Sequence, residues 1–449
     1  MSESSDYAIP ATALHSLRDE ILREVARISQ SGLLSLQERR LFLRIVERTL
    51  EGDTTQLYQK ALAEELSIPN AKQVGVVATR IRSKLADYQR SATSSPLQIA
   101  LSDRGYEAWI SYRQPTYTLG ERAQLAVANA KAAIDQRSIP GAAAALKHVD
   151  AALALEPGHP LLLAVKAHCH ATRALYGTHQ RADLELAESI IASMPPGPRP
   201  WESVFADACV KMALHWDWTG ARSAFEQAIA LSGGAACRLP WYTAFLACQG
   251  RAPEAVPLLR TAVGQAHDSP IVRADLAINQ IFARHYEQAQ DTIETTFALF
   301  GPRTHYLTYI HQAILHEARG EPHAAVEAIG RVPLRWPQTT ITLGLRALFS
   351  GLAGDRPTAR RHYRKLRGGR ALAGRYVPAG QLCIAALGSG EIADAIHWLR
   401  EGAIVERDPN LVLTNVYPFF RHLHHEPSFR ALVTETMKLT IPDSGPRPA

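Results

Sequence analysis

The residues best suited to bind a charged partner lie in one basic stretch, VATRIRSKLADYQR, which runs from Val77 to Arg90. Apolar residues recur in it at intervals of four, four and three, which is the spacing of one face of an α-helix. Between residues 71 and 92 basic side chains outnumber acidic ones by five to one, whereas an ordinary solvated helix face mixes both signs. Such a helix can contact nucleic-acid phosphates. A basic surface helix beside acidic neighbours explains the pattern equally well.

The elements around this helix favour the first interpretation. Upstream, SLQE at residues 35–38 is a capping box, which predicts a helix that ends at Gly52, and a second short helix follows it. Downstream, two stretches of alternating apolar residues flank residues 103–105 and predict a β-hairpin. Three helices and a hairpin are the outline of a winged helix-turn-helix, whose third helix enters the major groove of DNA.

The stretches FLRIVERTLEG, VATRIRSKLADY and PLQIALSDRGYEAWI resemble the N-terminal domain of a bacterial family. Its members join a winged helix, similar to the output domain of response regulators, to tetratricopeptide repeats. The resemblance covers roughly residues 35–112, and it implies that the third helix and the wing bind DNA. The sequence departs from the family in LSIPNAKQVG, which is shorter than the family segment and lacks its Asp-rich turn. The expected DNA contacts are Lys72, Arg80, Arg82, Lys84, Arg90 and Arg104.

The chain beyond about residue 120 repeats the pattern G-x-x-x-x-A-x-x-x-Φ-x-x-A, in which Φ is apolar. From Ala221 onward its alanine recurs at spacings of 34, 34, 36, 34 and 36 residues. A period near 34 is typical of tetratricopeptide repeats, which are antiparallel helix pairs stacked into a superhelix. One pair cannot bury its apolar faces, so stacking is required. The series begins at Ala145 and continues at Ala221, Ala255, Ala289, Ala325, Ala359 and Ala395.

We therefore expect a mainly α protein, with an N-terminal winged helix-turn-helix followed by an α-solenoid of tetratricopeptide-like helix pairs. The expected divisions are a leading amphipathic helix in 1–34, a winged-helix domain in 35–115, a repeat solenoid in 120–410, and C-terminal capping helices with a tail in 411–449.

The concave wall of such a superhelix is formed by the first helix of each pair. Counted from the repeat alanine, the wall positions here are mostly apolar and small, without the Lys, Asn and Arg set that can clamp the carboxylate end of a peptide. This predicts an apolar protein segment as the partner, unless a tightly wound superhelix buries the wall on itself. The predicted wall residues are Val210, Ala244, Ile278, Phe282, Ile310, Ile314 and Glu317.

Composition and motifs argue against several other classes. The net charge of +6 is compatible with nucleic acid but does not require it. Five scattered cysteines indicate reduced thiols and a cytoplasmic protein, and no apolar run reaches the ~18 residues of a membrane span. Nucleotide-loop, serine-hydrolase and zinc-protease motifs are absent from the sequence, and His168 and His170 fall on different sides of a helix. We therefore predict no enzyme activity, no cofactor and no metal.

The sequence favours a DNA-binding transcriptional regulator whose solenoid binds a partner protein or effector. The alternative is a non-enzymatic interaction scaffold in which the winged helix binds protein. The expected partners are double-stranded DNA and a protein or peptide in the repeat groove, with no membrane. The leading amphipathic helix could form a homodimer or pack on the repeats.

Overall fold

The chain is mainly α-helical, with paired helices like those of a tetratricopeptide solenoid and a small hairpin near the N-terminus. The computed structural model describes residues 7–8, 18–53, 55, 57–91, 97–102, 105–112, 117–176, 180–232, 240–266, 268–332, 340–372 and 376–441.

Within the described residues, the N-terminal part contains four helices and a three-stranded sheet. The helices are α1 (Arg18–Gln30), α2 (Leu36–Leu50), α3 (Gln59–Glu65) and α4 (Ala71–Ser91). The strands are β1 (Tyr7–Ala8), β2 (Leu97–Leu101) and β3 (Ala108–Tyr112), in the antiparallel order β1-β3-β2. The Ser35 hydroxyl accepts from the Glu38 N–H at 3.3 Å and the Glu38 carboxylate from the Ser35 N–H at 2.7 Å, which confirms the capping box.

The leading helix α1 belongs to this N-terminal part. Its stripe of Ile21, Val25 and Ile28 is buried, and α1 contacts α2 and β2. The Ala108 N–H donates to the Thr49 hydroxyl at 3.0 Å, which ties β3 to α2. In this structure the apolar stripe of α1 therefore packs against the rest of the N-terminal part. Leu14 and Leu17, the first residues of the predicted stripe, lie outside the described residues.

The body is a stack of helix pairs. The pairs are α5 (Glu121–Ile134) with α6 (Ile139–Leu155), α7 (Pro160–Tyr176) with α8 (Gln180–Ser193), α9 (Trp201–Ala213) with α10 (Trp218–Leu231), α11 (Pro240–Cys248) with α12 (Ala252–Gln265), α13 (Pro270–Phe282) with α14 (Tyr286–Phe300), α15 (Tyr306–Ala318) with α16 (Pro322–Gly330), α17 (Thr340–Leu352) with α18 (Arg356–Ala371), and α19 (Ala379–Ser389) with α20 (Ile392–Arg400). The predicted pairing is confirmed.

The repeat alanines occupy the positions that the period predicts. All seven have an exposed fraction of 0%, so each lets the second helix of its pair approach its neighbours closely. The turns at Gly250, Gly320 and Gly354 have positive φ angles of 73°, 80° and 91°, where glycine carries no steric penalty. The Pro-rich stretch PPGPRP at residues 195–200 precedes α9. It does not interrupt the stack, because α9 contacts both α7 and α8.

The C-terminal segment, residues 401–441, differs from the expected cap of capping helices. It is mostly a series of short turns: π-helices at Glu401–Glu406 and Leu432–Thr436, 3-10 helices at Pro409–Leu413 and Pro418–Leu423, and one short α-helix, α21 (Pro427–Ala431). Its turns contact α7, α9, α11 and α15, so it runs along the first helices of successive pairs.

Two further contacts connect distant parts of the chain. The strands β1 and β3 contact α10, which joins the N-terminal part to the body. Arg137, in the turn between α5 and α6, pairs with the buried carboxylate of Asp275 on α13, so the superhelix curves back onto its own first pair. Among the described helices, none is long and apolar enough to cross a membrane.

Candidate functional site

The basic helix of the sequence is α4, and one of its arginines holds the hairpin. The Arg82 side chain donates from Nε to the carbonyl of Ser102 at 2.9 Å and from Nη2 to the carbonyl of Gly105 at 2.6 Å. Both acceptors lie at the hairpin turn. Because a guanidinium presents several donors in a fixed plane, one side chain can fix both ends of the turn. Arg82 is thus half-buried and positions the hairpin on α4.

A second basic residue of α4 is neutralised by the capping box. Lys84 donates to the Glu38 carboxylate at 2.7 Å, and Glu38 is nearly fully buried. Burial would raise the pKa of Glu38, but the hydrogen bonds from Lys84 and Ser35 outweigh it and place the pKa below its ordinary value. Lys84 therefore joins α4 to the start of α2.

The remaining predicted DNA contacts have different surroundings. Arg90 pairs with Asp87 on the surface of α4. Lys72 and Arg80 are exposed, and the structure gives their side chains no ion pair within the described residues. Arg104 lies outside those residues. Among the predicted DNA contacts that the structure describes, Lys72 and Arg80 are therefore the exposed cations without an ion pair.

An open groove lies beside this helix. It has a volume of about 790 Å³ and runs between the start of α3, one face of α4 and the hairpin turn. Gly75 lets the three approach, since a Cβ there would come within 3.0 Å of the Gln59 amide and 3.4 Å of the Tyr106 hydroxyl. The lining residues are Tyr58, Gln59, Lys60, Ala71, Gly75, Thr79, Arg82, Gly105 and Tyr106.

Apolar surface is exposed at the edge of the groove. Tyr58, in the lining, is 50% exposed, and Val76, which follows the lining residue Gly75 on α4, is 53% exposed. Around them the exposed residues of α4 are polar, namely Lys72, Gln73, Thr79, Arg80 and Ser83. An apolar patch inside a polar rim is the usual anatomy of a protein-binding surface.

The predicted concave wall is covered by the C-terminal segment. The Phe282 ring packs edge-on against Tyr417 with centroids 5.3 Å apart. Glu317 accepts from Arg421 at 2.9 Å. The predicted wall residues Val210, Ile278, Ile310, Ile314 and Glu317 are buried, and Ala244 and Phe282 are partly buried. A partner can reach this wall only if the segment leaves it.

Polar side chains hold the segment in place. The Asn415 amide donates to the carbonyl of Cys248 at 2.8 Å. The Trp218 indole donates to the carbonyl of Met437 at 2.8 Å. Trp218 belongs to the Trp-Asp-Trp motif at the start of α10, whose Asp217 caps that helix. The aromatic residues of this motif therefore serve packing and anchoring in this structure.

Two histidines and four cysteines of the body are enclosed by their neighbours. His168 contacts the rings of Trp201 and Phe205, and His170 lies 2.9 Å from Asp183. Within the described residues no group of three or more His, Cys, Asp or Glu could hold a metal ion. Four buried cysteines are unpaired thiols: Cys169, Cys209, Cys248 and Cys383. Burial raises the pKa of each of these thiols.

Comparison with known proteins adds little to this description. No family model matches the chain, and no curated protein matches it. Among solved structures, the crystal structure of the apo form of RapI is similar, with 13% sequence identity and a TM-score of 0.34. That match covers 70% of this chain and 98% of the RapI chain. At this TM-score the likeness carries no conclusion about function, which must be argued from the surfaces themselves.

Proposed function

We propose that the protein is a non-enzymatic, cytoplasmic interaction protein that binds a protein partner through its N-terminal module. The groove beside α4 is the observation that carries this proposal. Tyr58 in its lining and Val76, next to the lining residue Gly75 on α4, are exposed apolar side chains, and the polar residues of α4 surround them. A helix or extended segment of a partner, with one or two apolar side chains for this centre, fits such a surface.

The module itself is proposed to be a winged helix. The helices α2, α3 and α4 precede the hairpin β2–β3 in the chain, and α2 and α3 both contact α4. Arg82 fixes the hairpin turn to the third of these helices. The helical-repeat body would hold this module through the contacts of β1 and β3 with α10. In this proposal the body is a scaffold, and its concave wall is occupied by its own chain.

DNA binding is the second candidate function. Lys72 and Arg80 favour it, because both extend to solvent from the same helix as the polar residues Gln73, Thr79 and Ser83. A helix with such a face can enter a major groove. Against it, Arg82 and Lys84 are used inside the module and Arg90 is paired with Asp87. We therefore place protein binding ahead of DNA binding as the function of this module.

Site-specific crosslinking in cells tests the proposal. A photoreactive amino acid at position 76 is expected to give a discrete adduct with a partner protein, and Tyr58→Ala should weaken that adduct. The same probe at position 299 of α14, whose leucine is 55% exposed, is the matched control and should not trap the same partner.

A parallel measurement separates the second candidate. If no discrete adduct forms at position 76, and Lys72→Ala/Arg80→Ala abolishes selective binding to a genomic DNA fragment, DNA recognition becomes the function of the module and protein binding is rejected.

A further inference from the structure

The positive charge of this protein is concentrated in one helix of the body, α18. Its sequence, RPTARRHYRKLRGGRA, contains six arginines and one lysine but no acidic residue. The net charge of the whole chain is +6, so the rest of the chain is close to neutral. The stretch is plain in the sequence, but there it reads as the repeat unit of Ala359. Only the structure shows which of its residues face solvent.

The apolar side of α18 faces the body and the basic side faces solvent. Tyr363 and Leu366 are buried against the neighbouring helices. Arg361, Arg364 and Lys365 are exposed. Because residues three and four apart lie on one side of a helix, these three cations form one cluster.

Ion pairing to the next repeat uses the edge of α18 beside Arg364, since Arg360 and Arg367 are four and three residues from it. Arg370 is the most buried of the paired cations, and it forms ion pairs with Glu401 and Glu406. Two longer, solvent-exposed pairs join Arg360 to Glu391 at 3.5 Å and Arg367 to Asp394 at 3.7 Å. Exposed pairs of this kind contribute little in water, so they leave the edge available to a stronger anion.

The central cluster has no carboxylate of its own on the described surface. No ion pair involves Arg361, Arg364 or Lys365 among the residues that the structure places. Asp355 interacts electrostatically with Arg361, but it precedes the helix and accepts from the Thr358 N–H at 3.1 Å as the N-cap. This carboxylate is committed to the start of α18.

A neighbouring helix adds a further cation. Arg346 of α17 lies near enough that its charge acts on His362 of α18. Burial is the largest cause of the lowered pKa of His362, and the charges of Arg346, Arg361 and Lys365 add to it. The half-buried Arg346 thus adds its charge beside the basic side of α18.

We propose that this surface, the α18 basic face formed by Arg346, Arg361, Arg364 and Lys365, binds the phosphodiester backbone of a nucleic acid. Guanidinium groups match phosphate oxygens in bidentate geometry. The three cations of α18 lie within about one turn of the helix, so they can reach neighbouring phosphates, which are about 3.4 Å apart along one strand. The proposal goes beyond the proposed function and does not depend on what fills the groove at α4.

The composition of the face favours nucleic acid over the other anionic partners. Protein interfaces have an apolar centre, whereas every exposed residue of α18 between Arg360 and Lys365 is a cation. The exposed Leu372 lies past the end of the helix. Helices that bind anionic membranes insert an apolar side, whereas that side of α18 is buried in the body. A polyanion that needs only charge and hydrogen bonds fits what remains.

Fluorescence anisotropy of the full chain tests the proposal. The probes are a short mixed-sequence DNA duplex, an RNA duplex and single-stranded DNA, each measured at several salt concentrations. The variant is Arg361→Gln/Arg364→Gln/Lys365→Gln. The matched control is Arg122→Gln/Lys147→Gln/Arg199→Gln, which removes the same charge from exposed positions elsewhere on the body. Circular dichroism checks that both variants fold like the wild type.

The expected result is a loss of at least tenfold in affinity for the α18 variant alone. Each lost phosphate contact lowers the slope of log affinity against log salt by about one, so this slope should fall by up to about three units. The three probes identify which nucleic acid is preferred. Equal losses in both variants, or no loss in either, overturn the proposal. So does tighter binding to polyglutamate or to vesicles of phosphatidylcholine and phosphatidylserine than to every nucleic acid. Lys72→Ala/Arg80→Ala is measured alongside, and loss of all binding in that variant alone assigns the contact to α4 instead.

Discussion

Arg421 of the C-terminal segment donates a hydrogen bond to the buried carboxylate of Glu317 on α15, at 2.9 Å, and a second to the backbone carbonyl of the same residue at 3.0 Å. The two residues are 104 positions apart in the chain. The pair joins the last turns of the protein to the inside of its helical stack. A single ion pair thus reports whether the concave wall is occupied.

Removal of Arg421 is expected to loosen this segment. Arg421→Ala removes the nearest cation of the buried Glu317 and leaves it only the His422 imidazole, 3.6 Å away. The variant should lower the free energy of unfolding by about 2 kcal/mol. The matched control is Arg430→Ala, an exposed residue of the same segment, which should change it by less than about 0.5 kcal/mol. Denaturant unfolding measures both. A double variant with Glu317→Gln should recover part of the loss, and no recovery would show that the pair is not the cause.

Arg82 is expected to matter for the hairpin and not for recognition alone. Arg82→Ala removes two hydrogen bonds to the turn carbonyls and should cost about 1–3 kcal/mol. Amide hydrogen exchange in residues 97–112 should accelerate in this variant. Arg80→Ala, on the exposed side of the same helix, serves as the control and should leave this exchange unchanged. Arg82→Lys keeps the charge without the planar fork, so full protection in that variant would contradict the argument.

Gly351 of α17 and Gly388 of α19 let the backbones of these two helices touch. A Cβ on Gly388 would overlap the backbone of Ala347 and Leu348. We expect Gly388→Ala to lower the free energy of unfolding by about 3 kcal/mol or more, because the helices must separate. Gly368→Ala on α18 has open space around it and should instead stabilise the chain by about 0.5–1 kcal/mol. Thermal unfolding compares the two, and similar midpoints would refute the close approach.

Acid is expected to destabilise the body through its buried histidines. Burial lowers the pKa of His311 to about 3 from an ordinary value of 6.5. Below pH 6.5 the unfolded chain therefore binds a proton that the folded chain does not, and stability falls as the pH falls from about 6.5 towards 3. His168 and His305, with pKa values lowered mainly by burial to about 4, act in the same direction.

His311→Asn isolates one part of this effect. Asparagine can still donate to the carbonyl of Ala274, which lies 2.9 Å from the His311 ring, but it does not titrate. Unfolding free energies of wild type and variant, measured between pH 7 and pH 4, should show a shallower decline in the variant. Parallel curves would mean that His311 contributes no linkage.

The basic helices α4 and α18 differ in how well their sequences predict which cations are free to bind a partner. Lys84 and Arg82 stand on a helix whose sequence favours phosphate contacts. Their partners, Glu38 and the hairpin carbonyls, lie 46 and at least 20 residues away. Nothing in the local spacing reveals these partners, so charge counting overestimated the cations available to DNA. In α18 the same counting works better for Arg361, Arg364 and Lys365, which have no such carboxylate on the described surface. Its other cations include Arg360, Arg367 and Arg370, which pair with carboxylates beyond the helix.

The sequence alone determined the helix pairs. Its 34-residue period specifies close packing at each repeat alanine, and every one of those alanines is fully buried. It also determined the capping box at Ser35, since capping depends on residues three apart. Only the tertiary structure decided what fills the concave wall. The wall and the segment that covers it are each mostly apolar and lie far apart in the chain. Their contact depends on how far the superhelix curves, and that curvature is the sum of small rotations between pairs that no single repeat encodes.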